Sequence, residues 1–500
     1  MTRKPYLVPP AAAEGLIGRS FSRAPAIGLF KLVLQVPSLL ALAVTLVAGL
    51  GTGCQTYKSQ TRNMTLSWLS GDVELAAKEF GKKAENKSGG KDSVIWHLEA
   101  GTAYRAAGKY EESNRHFDAA AAKIDEHEQQ AKVSLGRETG AILSNQQNLP
   151  YEGRSYDKIM LHTYRALNYL ALGDVDKARP EIIRAYQRQQ DAVEENKRRI
   201  EKAREEEKEH KDRANVEKAR ADPRFTAALG EKVEKNLEGF KFYADYVNPF
   251  TVYLDGLYFL HAGSGSSDLE RAIKSFHRVI EVAGDNKAVQ AGLLAATNAL
   301  NGKAAGPTTY VIFETGRAAS LEQVRIDIPI LFANVSYVGA AFPKLEFHPD
   351  FSRGMIVKIG GVQESTAPVA SMDSIVALDF KNDLPVIITK TVIATVAKAA
   401  AGYAINRAVE QQDDIAGLFV RLATAAGQAA MNIADTRSWT TLPKEFQVAC
   451  IPTPPGRKLT LTATGRGPVE LTLGEGTVNV VYVRSVTAAG PLMINQFKLK

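Results

Sequence analysis

Apolar residues along this chain follow three successive patterns. Residues 32–51 form a nearly unbroken apolar run, LVLQVPSLLALAVTLVAGLG. From about residue 69 to residue 301 apolar positions recur every three or four residues, the period of helices packed on one side. Beyond residue 302 the runs shorten, and β-branched and aromatic residues predominate, as in strands.

The clearest helical stretch is Tyr151–Tyr186, which predicts two antiparallel helices around the turn Leu172-Gly173-Asp174. The segment from Trp96 repeats the device. Gly101 and Tyr104 fall on a first helix, Gly108 and Tyr110 mark the turn, and Ser113, Phe117 and Ala120 fall on a second. A weaker copy holds Leu69, Gly71, Ala76 and Phe80, and a further one begins at Asn248 with Gly256, Ala272, Phe276 and Val279. Pro180 departs from the pattern and predicts a late start or a kink in its helix. Gly263-Ser264-Gly265-Ser266 lacks the strand before it and the Gly-Lys-Ser/Thr after it that a phosphate loop needs, so it reads as a flexible insertion.

Between these copies, residues 187–246 are dominated by charge, as in EENKRRIEKAREEEKEHKDR. Opposite charges at i and i+4 favour a solvated helix. Asp222-Pro223 ends it and a second helix turns back, predicting a hairpin that projects from the rest. The plainer alternative is a solvated extension with no task.

GKAAGP, residues 302–307, is a linker by composition. Strands are predicted at Thr309–Glu314, Gln323–Ile330, Gly354–Ile359 and Ser374–Asp379, with Leu345–His348 a further candidate. An Ala-rich helical hairpin follows at 385–434, with Pro385 in its first turn. Its Lys390, Lys398, Arg407 and Arg421 argue against a membrane span. The tail predicts strands at Phe446–Ile451, Lys458–Thr464, Val469–Leu473, Thr477–Arg484 and Met493–Phe497. Short strands at this spacing suggest a small sandwich. Asp435–Trp439 reads as a salt-bridged corner or a recognition patch, the corner being the simpler.

Composition changes the picture in one respect. The formal charge is +7, but the first 53 residues hold Arg3, Lys4, Arg19, Arg23 and Lys31 against Glu14, so only +3 stays with the body. That is no footprint for nucleic acid. The basic leader, the apolar run and the small residues before Cys54 compose a secretory signal. A transmembrane anchor is the alternative, which Pro37, Gly49, Gly51 and Gly53 weaken. The chain's cysteines are Cys54 and Cys450. An acylated Cys54 leaves Cys450 no disulfide partner, and its apolar neighbours make it a small hydrophobe.

The search for chemistry finds no HExxH, CxxC, Walker loop, GxSxG or GxGxxG after a strand. No catalytic residue, metal site or cofactor is assigned. His348 in particular reads as a lone surface histidine, with no second ligand cluster near it.

Two resemblances add to this. Thr52-Gly53-Cys54 resembles the lipobox of bacterial lipoproteins, with Gly51 where Leu is usual. The helix pairs resemble tetratricopeptide repeats (TPR), with small residues where helices close and aromatics between them; Gly71 and Gly108 stand near the ~34-residue period of that repeat. Room for a degenerate pair remains before Gly173. The layout as a whole resembles an uncharacterised family of TPR-bearing bacterial lipoproteins. The resemblance rests on Pro150–Arg154, Leu167–Asp174, Asn248-Pro249, Tyr253–Gly256 and the Asp435–Trp439 to Pro454-Pro455-Gly456 segment. It implies an envelope location, and Gln55 after the cysteine implies the outer membrane of a Gram-negative host.

The expected fold is therefore multidomain α plus β. It comprises a signal peptide, 1–53, a TPR-like α-solenoid, 54–306, and a mainly β, sandwich-like domain, 307–500, with the helical hairpin inserted. The expected function is a non-catalytic envelope lipoprotein that binds partner proteins. The alternative is an enzyme, or an activator of one, in cell-wall metabolism. First helices of each pair line a solenoid's concave face, here presenting Tyr104, Arg105, His162, Arg165 and Asn168. The partner site is assigned to His162, Arg165 and Asn168. Cys54 carries the lipid. Cys54→Ala is expected to leave a soluble or uncleaved protein, while intact-mass analysis of the membrane-extracted wild type is expected to find acyl chains on Cys54.

Overall fold

Turn chemistry sets the helical region. In the computed structural model, which describes residues 56–133, 146–210, 212–243, 246–330, 337–359, 361–409 and 433–500, the chain enters helix α1 (Tyr57–Ser70) at Thr56. The Thr56 hydroxyl accepts the Ser59 N–H. Helices α2 (Val73–Asn86), α3 (Ser93–Ala106), α4 (Tyr110–Val133), α5 (Ser155–Ala171) and α6 (Val175–Glu209) follow. Gly108 and Gly173 close α3 and α5 at φ +72° and +77°, where a side chain would be strained. The next N–H, of Lys109 or Asp174, reaches back to the carbonyl of Tyr104 or Tyr169. Gly101 meets Phe117 so closely that a Cβ would lie 2.5 Å from the ring. The predicted pairing of small and aromatic residues is thus real at α3 and α4.

Pro180 neither delays nor ends α6. Asp174 caps the helix, which starts at Val175, and Pro180 sits in its second turn, forgoing one backbone bond. The Gly263–Ser266 segment is a pinned turn. Asp268 accepts the Ser264 N–H and a two-pronged contact from Arg179, both arms at 3.0 Å. It joins α9 (Pro249–His261) to α10 (Ser266–Ala283), and α11 (Lys287–Leu300) completes this group. The degenerate pair expected before Gly173 falls partly on residues outside those described.

The charged segment does not project. Helix α6 runs on to Glu209, and α7 (Arg213–Arg220) and α8 (Pro223–Lys232) fold back. Ala203, Val216, Ala219, Phe225, Leu229 and Val233 are buried. The Phe225 ring packs on Phe342 at 5.9 Å, and Lys232 and Asn236 donate to the carbonyls of Arg325 and Leu345. A sparse apolar stripe, diluted in sequence by the charges, lays this arm on its neighbours.

The strand-rich region follows. Strands β1 (Thr308–Thr315), β6 (Ala367–Ser371), β7 (Glu445–Pro452), β10 (Val478–Ser485) and β11 (Leu492–Lys498) form a sheet in the order β11-β10-β1-β7-β6. Strand β1 is parallel to β10 and antiparallel to β7. Strands β4 (Met355–Ile359), β5 (Val362–Ser365), β8 (Lys458–Ala463) and β9 (Val469–Thr472) form a second sheet, β5-β4-β8-β9. Strands β2 (Ser320–Pro329) and β3 (Tyr337–Glu346) pair as a ribbon. One face of the large sheet, with Val311, Phe313, Ala449 and Val481, shares a core with Val357, Leu459 and Leu461 of the second. Its other face, with Tyr310, Ile312, Val448 and Val480, belongs to the core of the helical region. The middle of the large sheet, β10, β1 and β7, is therefore buried on both faces, which explains the continuous apolar runs of β1 and β10.

Ser374–Asp379, expected as a strand, is the start of helix α12 (Met372–Val409). Pro385 lies inside this helix, not in its first turn. The helix is buried on most sides, so its apolar run lacks the one-sided period that marks a surface helix. The second arm of the expected hairpin, Asp414–Ala434, lies outside the described residues except for its last two. Among the described residues no helix is long and apolar enough to cross a membrane. Cys54–Lys500 make one compact unit. The change expected at residue 306 is one of element type, since one apolar core runs from Tyr57 to Leu499. Burial of the charged arm has a consequence for stability. Phe225→Ala is expected to cost about 3 kcal/mol in denaturant unfolding, and deleting Glu194–Lys218 to lower the melting temperature clearly, where a solvated arm would change neither.

Candidate functional site

A cleft of about 310 Å³ opens between α4, α5 and α6. Its floor is one face of α5, with Lys158, Leu161, His162 and Arg165 at helical spacing. Ala121, Ile124 and Asp125 of α4 make one wall, and Arg184, Gln187, Arg188 and Asp191 of α6 the other. Arg184, Gln187 and Asp191 are exposed, while His162 and Arg165 are largely buried.

Ion pairs fix the floor. His162 Nδ1 lies 2.7 Å from Glu181 Oε2. Arg165 reaches the same oxygen at 3.2 Å and Asp118 at 2.5 Å, and Arg184 holds Glu181 Oε1 at 2.8 Å. Lys158 bridges Glu128 at 2.8 Å and Glu195 at 3.0 Å. Arg188 forks onto Glu128 and reaches Asp125 at 3.1 Å. Burial raises the Glu181 carboxyl, but the His162 hydrogen bond and the charge of Arg165 outweigh it and leave it below its ordinary value. Burial lowers the His162 imidazole, against the pull of Glu181, which favours the neutral ring. A neutral imidazole whose Nδ1–H is given to a carboxylate keeps Nε2 as an acceptor. The lining carries no hydroxyl or thiol, so this dyad has no nucleophile to activate. The arrangement suits recognition of a polar group that brings both donors and acceptors.

Of the residues assigned from sequence, His162 and Arg165 meet in this cleft and Asn168 does not. Asn168 is fully buried. It accepts from Arg105 at 2.7 Å and donates to Ser113 at 2.8 Å and Asn114 at 2.9 Å. The expectation that all three are exposed is corrected, because α5 is covered from both sides. Arg105 is buried too, its guanidinium 4.4 Å from the Tyr482 ring centre. Lys158, Glu181, Arg184 and Arg188 were missed. The available signal was their spacing, with Lys158, His162 and Arg165 on one line and Arg184 and Arg188 on another.

His348 is not a lone surface histidine. It is half-buried, with Nε2 3.1 Å from Ser320 Oγ and Nδ1 3.3 Å from an Arg317 guanidinium nitrogen. Arg317 can only donate, so Nδ1 accepts and Nε2 carries the proton toward Ser320. That polarity is the reverse of a serine nucleophile's base. Burial and Arg317 push this imidazole down to about 4. Cys450 is half-buried beside Tyr310, and burial pushes its thiol up to about 11, far from a reactive thiolate. Asp435–Trp439 is the salt-bridged corner, with Arg437 held by Asp435 at 2.6 Å and Asp92 at 2.8 Å.

Compared with protein-family models, curated proteins and solved structures, the chain matches none.

A cluster of buried charge lies at the start of α5. Arg154 faces Asp379 and Asp383, one turn apart on α12, at 3.8 and 3.4 Å, and Arg199 of α6 also pairs with Asp383. Burial and the neighbouring Asp383 push the Asp379 carboxyl up to about 7. A carboxyl raised in the folded state binds its proton more tightly folded than unfolded, so its contribution is lost as pH rises through that value. Histidines lowered by burial act in the opposite sense below about pH 6.5, so a pairwise difference isolates the carboxyl. Asp379→Asn is expected to gain stability relative to wild type between pH 5 and pH 8, by on the order of 2 kcal/mol. Urea unfolding at both pH values measures it; a difference constant with pH would refute the assignment.

Proposed function

We propose that this protein is a lipid-anchored scaffold of the cell envelope that recognises partner proteins through the α4–α5–α6 cleft. The cleft itself carries the reading, because its charges are held in place by one another before any ligand arrives. Preorganised groups spend less ordering entropy on binding. The sequence support is the Thr52-Gly53-Cys54 motif behind an apolar run, with Cys54 the lipid attachment. The helix pairs are read as TPR-like, and the two facing sheets as a sandwich-like module buttressing them. Lys158, His162 and Arg165 form the floor of the proposed site, and Arg184, Gln187 and Asp191 its accessible rim. Asn168 takes the role of a support beneath it. The membrane proposed is the outer one, and the surface periplasmic. No cofactor is invoked.

The rim is the place to test this, since floor variants would disturb buried ion pairs. Replacing Gln187 and Asp191 together, which leaves the Arg184–Glu181 pair in place, is expected to change stability by roughly 1 kcal/mol or less. A photo-crosslinking residue at position 187 in cells is expected to trap a defined partner, and the trap to fail when Asp191 is replaced by Arg. A folded variant that crosslinks the same partner at wild-type yield would move the site elsewhere.

A further inference from the structure

The distance from the proposed lipid to the first helix is set by covalent geometry. Gln55 and Thr56 follow Cys54, and α1 begins at Tyr57. From Cys54 to Tyr57 the backbone makes three steps, which span at most about 11 Å when fully extended. The headgroup layer on one side of a bilayer is about 5–7 Å thick. A thiol acylated at the hydrocarbon boundary therefore holds the start of α1 within a few Å of the headgroup surface, whatever path Gln55 takes.

The exposed side of α1 suits such a surface. Lys58, Arg62 and Leu66 are exposed and stand at i, i+4 and i+8, one line along the helix. Leu66 is 57% exposed, among the most exposed large hydrophobics described. Two cations next to the anchor and an apolar side chain beyond them match a layer of phosphates over acyl chains. The opposite side is fixed to the body. Tyr57, Met64 and Trp68 are buried, and Tyr57 donates to Glu99 at 2.9 Å. Lys58 also bridges to Glu346 at 2.9 Å, which brings the Glu346 end of the β2–β3 ribbon to the same place. Helix α1 thus cannot move away from the membrane without the rest of the body.

We infer that the Lys58–Arg62–Leu66 face of α1 rests on the phospholipid headgroups, so that the anchored protein sits directly on its membrane instead of floating on a tether. This rests on the lipid anchoring proposed above. The test uses lipidated full-length protein in a Cys450→Ala background, reconstituted into vesicles of phosphatidylethanolamine and phosphatidylglycerol. A spin label is placed at Arg62→Cys. A second is placed at Asp327→Cys, seven residues along β2 from Ser320 and so about 24 Å along the ribbon. Both positions are exposed. Relaxation by a headgroup-chelated nickel lipid is expected to be several-fold stronger at 62 than at 327. A flexible linker of a dozen or so residues inserted after Gln55 is expected to abolish that excess while the protein still floats with the vesicles.

The two proposals fail differently. A protein that carries no acyl chain and does not float overturns the anchoring and this inference together. A protein that is acylated and floats, yet shows equal relaxation at both positions, overturns this inference alone. An excess at position 62 that survives the longer linker also overturns the tether as the cause, and assigns the contact to the affinity of the α1 face.

Discussion

A carboxylate with no access to water must recover its hydration shell from the protein, and Glu99 does so across the joint between helices and sheets. It is fully buried on α3. Its Oε1 accepts from Tyr57 at 2.9 Å and from the Thr440 N–H and hydroxyl, both at 2.7 Å. Its Oε2 accepts from the Thr441 N–H at 3.0 Å and hydroxyl at 2.7 Å. Burial still lifts its carboxyl above the ordinary value, although these bonds pull it down. The effective penalty for burying such a charge is several kcal/mol, and each hydrogen bond to a charge returns roughly 1.5–3 kcal/mol. The balance holds only while all donors stay in place. The segment before β7 is therefore locked to α3, and α1 with it through Tyr57.

The same constraint recurs next to it. Arg437 spends its donors on Asp435, Asp92 and the carbonyls of Leu149 and Gln146. Arg484 of β10 gives to the carbonyls of Gly316, Ser485 and Thr441, and its guanidinium lies 5.4 Å from the Trp68 ring centre of α1. Arg105 links Asn168 of α5 to the Tyr482 ring of β10. Arg484 and Arg105 each tie a helix to the sheet by a buried charge, and Arg437 ties the segment before β7 to the loops around α3; such contacts tolerate little displacement because a broken one leaves the charge unpaired. Helix α5 is thus fixed from beneath by Asn168, while its other face supplies the floor of the cleft. Stability of the core and rigidity of the cleft have one origin.

What the sequence revealed follows from how local each determinant is. The turn at Gly173 depends on neighbours a few residues away, the closure of Gly101 on Phe117 on spacing within one helix pair, and the strands from Thr308 and Val478 announce themselves by their own apolar runs, so all were legible. Strand β11 was legible from its own run, and the corner at Arg437 from Asp435 two residues before it, although its second carboxylate, Asp92, comes from far along the chain. The burial of Asn168 was not, because its partners Arg105, Ser113 and Asn114 lie more than fifty residues earlier. The arm from 187 to 246 misled in another way. Most of its charges are exposed as expected, but Arg199 pairs with the buried Asp383, and the helices carrying Val216 and Phe225 pack on α12 and the β2–β3 ribbon, far along the chain. Helix α12 was misread at Ser374–Asp379 because a helix buried on most sides loses its amphipathic period. Of the three residues assigned to the partner site, His162 and Arg165 line the cleft, and the ion-pair lattice around them stayed hidden, since Glu181 and Glu128 come from different helices.

The ion-pair lattice also bears on how the cleft would bind. Arg165, Arg184 and Arg188 already have carboxylate partners, so an incoming anion gains only the difference between its own contacts and those it displaces. Attraction by naked charge is not available, and tight binding of a small anion is not expected from such a site. What the lattice offers instead is exchange. Asp118 and Asp125 are more than half exposed, so water takes over their charge cheaply once an arginine turns to a ligand. Glu181 is buried and cannot be released in this way. A partner would therefore replace the α4 carboxylates and leave the His162–Glu181 pair intact. That favours a protein surface carrying several complementary groups over a single small molecule, because many modest exchanges are needed to offset the cost of association.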